Sequence, residues 1–299
     1  MSDTLQRFLF EDLAIRGEVV QLDTSWQAVM ANHDYPQPVK QLLGEMLSAV
    51  VLLSATLKFS GKLSLQLQGS ESVSLMIAEC TTGQDNEVRN IRGIAHFADV
   101  VPVGTLKELA GDGHLVMNLE PVGETGKEKE RYQSIVELIG ETLADALENY
   151  LVRSEQLDTE LWLTSSEQRS GGLLIQRLPG NNEVSDKDAW DRIHQLSATI
   201  KDEELLGLEA EEIIHRLYHE EDVRIFDKEP LKFYCPCSRE RVATMLKSLG
   251  KDEVESILEE QGSINVACEF CNQKYDFDAV DAEQLFSSEI LSPPSDTQH

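Results

Sequence analysis

The sequence has few basic residues for its size. Its 299 residues include 26 lysines and arginines against 54 aspartates and glutamates, which gives a formal net charge of −28 at pH 7. A field of this sign repels phosphate backbones and anionic lipid surfaces. We therefore expect neither a nucleic acid nor a membrane as a partner of this protein.

The chain also lacks a basic leader segment and an uninterrupted apolar span. Residues 1–13 contain no long apolar core behind a basic start, and the most apolar stretch, residues 39–57, is interrupted by Lys40 and Glu45. We therefore expect a cytoplasmic protein. In the cytoplasm thiols rest in the reduced state, and disulfides form there only transiently.

Motifs of common enzyme chemistry are missing as well. The sequence contains no GxSxG and no phosphate-binding loop, and its seven histidines are scattered. His215 and His219 have a spacing that could place two metal ligands on one face of a helix. We interpret them instead as exposed histidines of the linker. We expect a protein that is not an enzyme.

Four of the five cysteines stand close together near the C-terminus. Cys235 and Cys237 form the motif CPC, and Cys268 and Cys271 form CEFC after thirty intervening residues. Two close pairs separated by a foldable insert can supply four thiolates to one tetrahedral ion, and an all-thiolate set suits structural Zn²⁺. We predict one zinc ion on these four cysteines in the reduced protein. Cys80 stands alone and is interpreted as a small apolar residue without a role.

The residues around these cysteines predict a small module. Apolar residues at helical spacing predict helices over residues 239–249 and 252–260, each followed by a glycine, and alternating apolar residues on both sides of CEFC predict a hairpin. A module of about fifty residues buries too little apolar surface to be stable alone. A structural zinc ion contributes roughly 10–16 kcal/mol of folding free energy. Removal of the metal should therefore unfold the module.

Two uses of a four-cysteine module remain open at this point. Zinc keeps sulfurs as thiolates, which are the oxidisable form, and a neighbouring cysteine can trap a sulfenic acid as a disulfide. This chemistry would make the module a redox switch. An inert zinc ribbon that holds the C-terminus together is the commoner use of such a module.

The rest of the chain predicts an α+β core domain in residues 1–180. Strand patterns and helical patterns are mixed without regular βαβ alternation, which is typical of this class. Strands are predicted over residues 12–23, 62–68, 72–79, 90–97, 114–119, 161–164 and 172–178, and helices over residues 26–32, 39–57, 105–109 and 132–154. The breaker cluster at residues 179–182 predicts the end of this domain.

The segment from residue 181 to residue 230 differs in composition. It holds fifteen acidic residues against six basic ones, yet it keeps apolar residues at helical spacing. We predict an acidic helical linker whose apolar stripe packs on the core domain, because like-charge repulsion opposes its folding alone. The zinc domain then covers residues 231–286, and residues 287–299 form a polar, disordered tail.

Four segments outside the cysteine motifs carry a resemblance to a known family. They are EDLAIRGEVVQLDTSW at residues 11–26, RNIRGIAHF at 89–97, GHLVMNLEP at 113–121 and GGLLIQRLPG at 171–180. Together with CPC, CEFC and the acidic segment before them, they resemble the bacterial redox-regulated heat-shock chaperones of the heat shock protein 33 family. The resemblance extends from Phe10 to Phe286.

This resemblance implies an ATP-independent holdase chaperone that is inactive when reduced and zinc-bound. It implies that oxidation forms the disulfides Cys235–Cys237 and Cys268–Cys271, releases zinc and unfolds the linker. The apolar surface exposed in this way would bind unfolding client proteins, and the active form would be an oxidised homodimer in the cytoplasm. The high net charge would keep such complexes in solution.

Two other classes of function compete with this expectation. A thiol–disulfide oxidoreductase places an exposed CxxC at the start of a helix in a βαβ setting, and neither cysteine pair has this context in the sequence. A zinc ribbon that binds nucleic acid would need a basic surface, whereas the few basic residues near the cysteines stand among acidic ones. A ribbon that binds a protein partner stays open.

Overall fold

The computed structural model describes residues 3–57, 60–83, 88–122, 130–179, 186 and 188–287. Contacts divide the chain into two compact units, Met1–Tyr234 and Cys235–His299. Of the predicted tail, only Ser287 is described, as the last residue of a helix, and the remainder lies outside the described residues. Most of the predicted breaker cluster at residues 179–182 also lies outside them.

One mixed sheet forms the framework of the first unit. Its strands are β1 (Thr4–Phe10), β2 (Ile15–Leu22), β3 (Gly61–Gln68), β4 (Val73–Thr82), β5 (Arg89–Phe97), β6 (His114–Pro121), β7 (Tyr132–Val136), β8 (Thr159–Ser165), β9 (Ser170–Arg177), β10 (Val223–Ile225) and β11 (Glu229–Phe233). The strand order is β7-β6-β3-β4-β5-β11-β1-β2-β9-β8, and β10 pairs with β1. The pairs are antiparallel except β11 with β5. The α+β class is confirmed.

The helices of the first unit connect its strands, contribute to its core or belong to its acidic segment. They are α1 (Thr24–Met30), α2 (Gln37–Thr56), α3 (Leu106–Ala110), α4 (Leu143–Tyr150), α5 (Ala189–Ser197), α6 (Asp202–Gly207) and α7 (Ala210–Tyr218). The apolar residues of α2 are distributed over all sides of the helix, which is the pattern of a buried helix. By length and composition α2 could span a membrane, but most of it is buried in the core.

The prediction of one helix over residues 132–154 is wrong in its first part. Residues Tyr132–Val136 form strand β7, which pairs with β6, and the helix begins only after Thr142. Gly140 has a φ of 96°, which interrupts a helix, and Thr142 and Asp145 form a capping box that starts α4. A π-helical turn, Leu151–Glu155, then ends this helix.

The acidic segment covers one face of the sheet, as its apolar stripe predicted. Residues of α5, α6 and α7 form a cluster with β1, β2 and β9, here called the linker cluster. Its buried members are Phe8, Phe10, Ile15, Val19, Leu173, Ile175, Ala189, Ile193, Leu205, Ala210, Ile213, Ile214, Leu217 and Tyr218. Two buried polar contacts add to it: Gln21 Nε2 donates to Leu208 O at 2.6 Å, and the Ser197 and Tyr218 hydroxyls lie 2.6 Å apart.

After α7 the chain returns to the sheet and ends the first unit there. Strand β11 lies between β5 and β1, and its Glu229 pairs with Arg89 at 3.0 Å and with Arg7 at 2.5 Å. The predicted start of the zinc domain at residue 231 falls within this strand. Only Tyr234 separates the end of β11 from Cys235.

The second unit consists of helices α8 (Arg239–Leu249), α9 (Lys251–Gln261) and α10 (Ala279–Ser287), with a hairpin of β12 (Ile264–Ala267) and β13 (Lys274–Phe277). The predicted helices and hairpin are confirmed, whereas α10 was not predicted. The buried core contains Leu246, Val254, Ile264, Phe277 and Ala282. Even with the eight partly buried apolar residues that pack against these five, the core is small, so packing alone leaves this unit marginal.

Candidate metal centre

The two cysteine pairs meet in the second unit. The four Sγ atoms lie within 4.8 Å of one another, with 3.6 Å between Cys235 and Cys268 and 3.3 Å between Cys237 and Cys271. Four thiolates on a tetrahedral zinc ion, each with a Zn–S bond of about 2.3 Å, have their sulfurs about 3.8 Å apart. The four cysteines therefore have the spacing and the donor type of a metal-binding set.

Local backbone structure places each pair. The first pair directly precedes α8, whose N-cap Ser238 accepts a hydrogen bond from Arg241 N at 3.3 Å. The second pair occupies the turn between β12 and β13. This turn is closed by hydrogen bonds from Asn272 N to Cys268 O at 2.7 Å and from Cys268 N to Gln273 O at 2.9 Å, with Asn272 in the left-handed region.

Arg239 holds the elements of this unit around the cysteines. Its guanidinium lies 4.2 Å from the ring centroid of Phe277, donates to Asp276 O at 2.7 Å and pairs with Asp281 at 2.8 Å. The contacts join the start of α8 to β13 and α10. The first cysteine pair is thereby fixed beside the hairpin that carries the second pair.

Hydrogen-bond donors other than the cysteine thiols themselves face three of the sulfurs. The backbone N–H of Cys237 donates to Cys235 Sγ, and the backbone N–H of Gln273 donates to Cys271 Sγ. The hydroxyl of Tyr275 donates to Cys237 Sγ at 3.2 Å. Donors of this kind stabilise thiolate sulfur and orient it toward a metal ion.

The environment affects the thiols unequally. Burial raises the pKa of the Cys235 thiol and of the Cys271 thiol. Burial also acts on Cys237, but hydrogen bonds from Tyr275 and from the neighbouring thiols lower the pKa of Cys237 overall. The same hydrogen bond raises the pKa of Tyr275 to about 12. Sequence reasoning treated Tyr275 only as an alternating strand residue and missed its contact with a sulfur.

The other candidate residues lie away from this centre. Cys80 is fully buried in β4 of the first unit, with its Sγ 3.2 Å from Ser54 Oγ, and burial raises the pKa of its thiol. His215 and His219 are exposed on α7 with ring centroids 5.9 Å apart. Within the described part of the chain, the four cysteines are the one group found with metal-ligand spacing.

A Cys80→Ala variant is expected to keep the metal content of the parent protein. The substitution removes one buried sulfur, which should lower the free energy of unfolding by about 1 kcal/mol, and it leaves the four clustered thiolates intact. Metal analysis and thermal unfolding of the two proteins check this. Loss of bound metal in the variant would show that Cys80 takes part in the site.

The sequence is similar over nearly its whole length to a known family and to proteins named 33 kDa chaperonin. The sequence model of the family described as "Hsp33 protein" matches residues 3–278. A protein named 33 kDa chaperonin from Nitrosococcus oceani is 47% identical over 297 residues, which cover 99% of both chains. A protein of the same name from Pseudomonas aeruginosa is 46% identical over 305 residues, covering 100% of this chain and 99% of its own length.

A solved structure has a similar fold. The crystal structure of a 33 kDa chaperonin from Thermotoga maritima, also titled heat shock protein 33 homolog, matches with a TM-score of 0.80. The match covers 96% of this chain and 99% of the other at 19% sequence identity. At that identity the likeness supports the fold, while the family rests on the sequence matches.

Proposed function

Because this chain belongs to the Hsp33 family of chaperones, we propose that it is a redox-regulated, ATP-independent holdase. In this proposal the reduced, zinc-bound protein is inactive, and oxidation of four cysteines activates it. One arrangement carries the proposal. The acidic segment covers an apolar face of the sheet, and it is followed closely in the chain by four cysteines whose sulfurs lie near one another.

Cys235, Cys237, Cys268 and Cys271 would hold one zinc ion in the reduced state. Soft thiolates favour Zn²⁺ over hard cations, and the four sulfurs lie within 4.8 Å of one another. When bound, zinc supplies a charge that keeps all four sulfurs deprotonated and links α8 to the hairpin. The five-residue core of this unit is too small to replace that contribution.

Oxidation removes the ligands themselves. With a peroxide as the oxidant, a cysteine thiolate attacks the O–O bond, which yields a sulfenic acid and hydroxide. A neighbouring thiolate then attacks the sulfenic sulfur and expels hydroxide, so that a disulfide forms. Every sulfur lies within 4.8 Å of the other three and therefore has a partner in reach. We propose the pairs Cys235–Cys237 and Cys268–Cys271, which consume two peroxide molecules and leave no thiolate for the metal.

The loss of fold in the second unit would next affect the acidic segment. Only one residue separates β11 from Cys235. Unfolding that begins at the cysteines would therefore extend directly into a strand of the sheet. The segment is held mainly by the linker cluster, against repulsion among its own acidic residues. Release of α5, α6 and α7 would expose apolar residues of both the segment and the sheet.

Exposed apolar surface of this kind would bind unfolding client proteins. The fourteen buried residues of the linker cluster are the proposed source of that surface. The charge of −28 would keep a client complex in solution and disfavours nucleic acid and anionic membranes as partners. We further propose a cytoplasmic location, a homodimer in the oxidised state and no enzymatic activity.

The test follows zinc release and chaperone activity in the same preparations. The reduced, metal-loaded protein and the peroxide-treated protein are compared in suppressing the aggregation of heated citrate synthase. We expect suppression only after oxidation, in step with zinc release. Equal suppression by the reduced form contradicts a redox switch, and turnover in an insulin-reduction assay would instead favour a thiol–disulfide oxidoreductase.

A further inference from the structure

Tyr275 connects the two halves of the cysteine site. It lies on β13, four residues after Cys271, yet its hydroxyl donates to Cys237 Sγ of the other pair at 3.2 Å. The donors to Cys235 and Cys271 are backbone N–H groups, which every residue type except proline would supply. The contact with Cys237 depends on the identity of one side chain.

The hairpin fixes the ring that carries this hydroxyl. Tyr275 pairs with Val266 across the strands, and both side chains are half-buried against the core of the second unit. The next inward residue of the strand, Phe277, is buried beneath the Arg239 guanidinium. The hydroxyl is therefore directed by packing, and phenylalanine could keep the ring in place without it.

We propose that Tyr275 is a positioning residue of the redox site, which holds Cys237 as a metal-bound thiolate and slows its oxidation. The proposal deepens the proposed function and rests on it, because it assigns to one side chain an effect on the zinc affinity of the site and on the rate at which peroxide oxidises Cys237. The hydroxyl does not react with the oxidant, and its proton stays on the tyrosine oxygen throughout.

The physical reason is the sharing of sulfur electron density. A hydrogen bond to a thiolate withdraws charge from the sulfur lone pairs, so the sulfur attacks a peroxide O–O bond more slowly. The same bond orients the sulfur and stabilises its charged form, and groups that do this around a metal typically contribute 10-fold to 100-fold to metal affinity. Loss of the hydroxyl should weaken metal binding and accelerate oxidation together.

The test compares Tyr275→Phe with Tyr234→Phe in the full-length, reduced protein. Tyr234 is exposed and adjoins Cys235 in sequence, so this control removes a hydroxyl near the site without removing a bond to sulfur. For Tyr275→Phe we expect zinc affinity about 10-fold lower. Cys237 modification by limiting peroxide, followed by mass spectrometry, should be severalfold faster, and Tyr234→Phe should match the parent.

A spectroscopic measurement separates hydrogen bonding from a general loss of structure. In the Co²⁺-substituted proteins, the sulfur-to-metal charge-transfer band should move to lower energy in Tyr275→Phe, because a thiolate without the hydrogen bond is a better electron donor. Fluorotyrosine at position 275 is a stronger hydrogen-bond donor, and it should move the band and the Cys237 oxidation rate in the opposite direction.

The outcomes separate this proposal from the function on which it rests. If the parent binds metal but both position-275 variants match it in affinity, band position and Cys237 oxidation rate, the role of Tyr275 is refuted and the proposed function stands. If the parent binds neither Zn²⁺ nor Co²⁺ through its cysteines, the proposed function and this inference both fail.

Discussion

An Ile213→Asp variant is expected to suppress aggregation of unfolding proteins while it is still reduced and metal-loaded. Ile213 is fully buried in the linker cluster, between α7 and the sheet. Burial of an unpaired carboxylate costs several kcal/mol, which exceeds the stability expected of a self-repelling segment. The segment should detach from the sheet without oxidation, and citrate synthase aggregation assays without peroxide would measure the effect.

His215→Asp is the matched control for this prediction. His215 is exposed on the same helix two residues away, so the substitution adds the same side chain to the solvent face. We expect this variant to remain inactive until it is oxidised. If Ile213→Asp also stays inactive although α7 has lost its amide protection, the linker cluster is not the source of the client-binding surface.

A variant with serine at positions 235, 237, 268 and 271 is expected to lose the fold of the second unit. Its buried core has five side chains, whereas a structural zinc site contributes roughly 10–16 kcal/mol to folding. That contribution is comparable to the whole stability of a typical domain, about 5–15 kcal/mol. Hydrogen exchange should show α8 and α9 unprotected in the variant while α2 in the first unit stays protected.

The matched control for the four-serine variant is Cys80→Ser. This change also replaces a cysteine with serine but lies outside the site, so α8 and α9 should keep their protection. Chelation of metal from the reduced parent protein should reproduce the four-serine result. Protected helices in both the variant and the chelated parent would mean that the second unit folds without metal.

Local sequence patterns predicted the second unit well. The helices α8 and α9 begin and end within one residue of their predicted bounds, because helical periodicity and the glycines that follow them are local signals. The convergence of four sulfurs followed from the spacing of CPC and CEFC. The hydroxyl of Tyr275 could not be predicted, because its approach to Cys237 depends on the packing of the hairpin against the first pair.

Elements defined by distant partners were harder to predict. Strand β7 has apolar residues whose spacing also fits a helix, and its conformation is decided by pairing with β6. Strand β1 was not predicted at all, although it pairs with β2, β10 and β11. Strand β11 spans the boundary between the acidic segment and the predicted zinc domain, and its position is set by pairing with β5 and β1, which are far away in sequence.

The burial of the acidic segment was predictable from its own sequence, but the surface that it covers was not. Its apolar spacing predicted both helices and a buried stripe, and Ile193, Ile213 and Leu217 are buried as expected. The sequence could not identify the surface they cover, because the apolar face of β1, β2 and β9 is assembled from separate parts of the chain. The proposed client-binding surface is therefore a result of the fold.

Hydrogen exchange of residues 189–218, followed while peroxide releases zinc from the parent protein, tests the central claim most directly. The account predicts that amides of α5, α6 and α7 are protected in the reduced protein and lose protection after the metal is released and both disulfides have formed. A protein that has lost its metal, carries both disulfides and suppresses aggregation, yet keeps these helices fully protected, would contradict it.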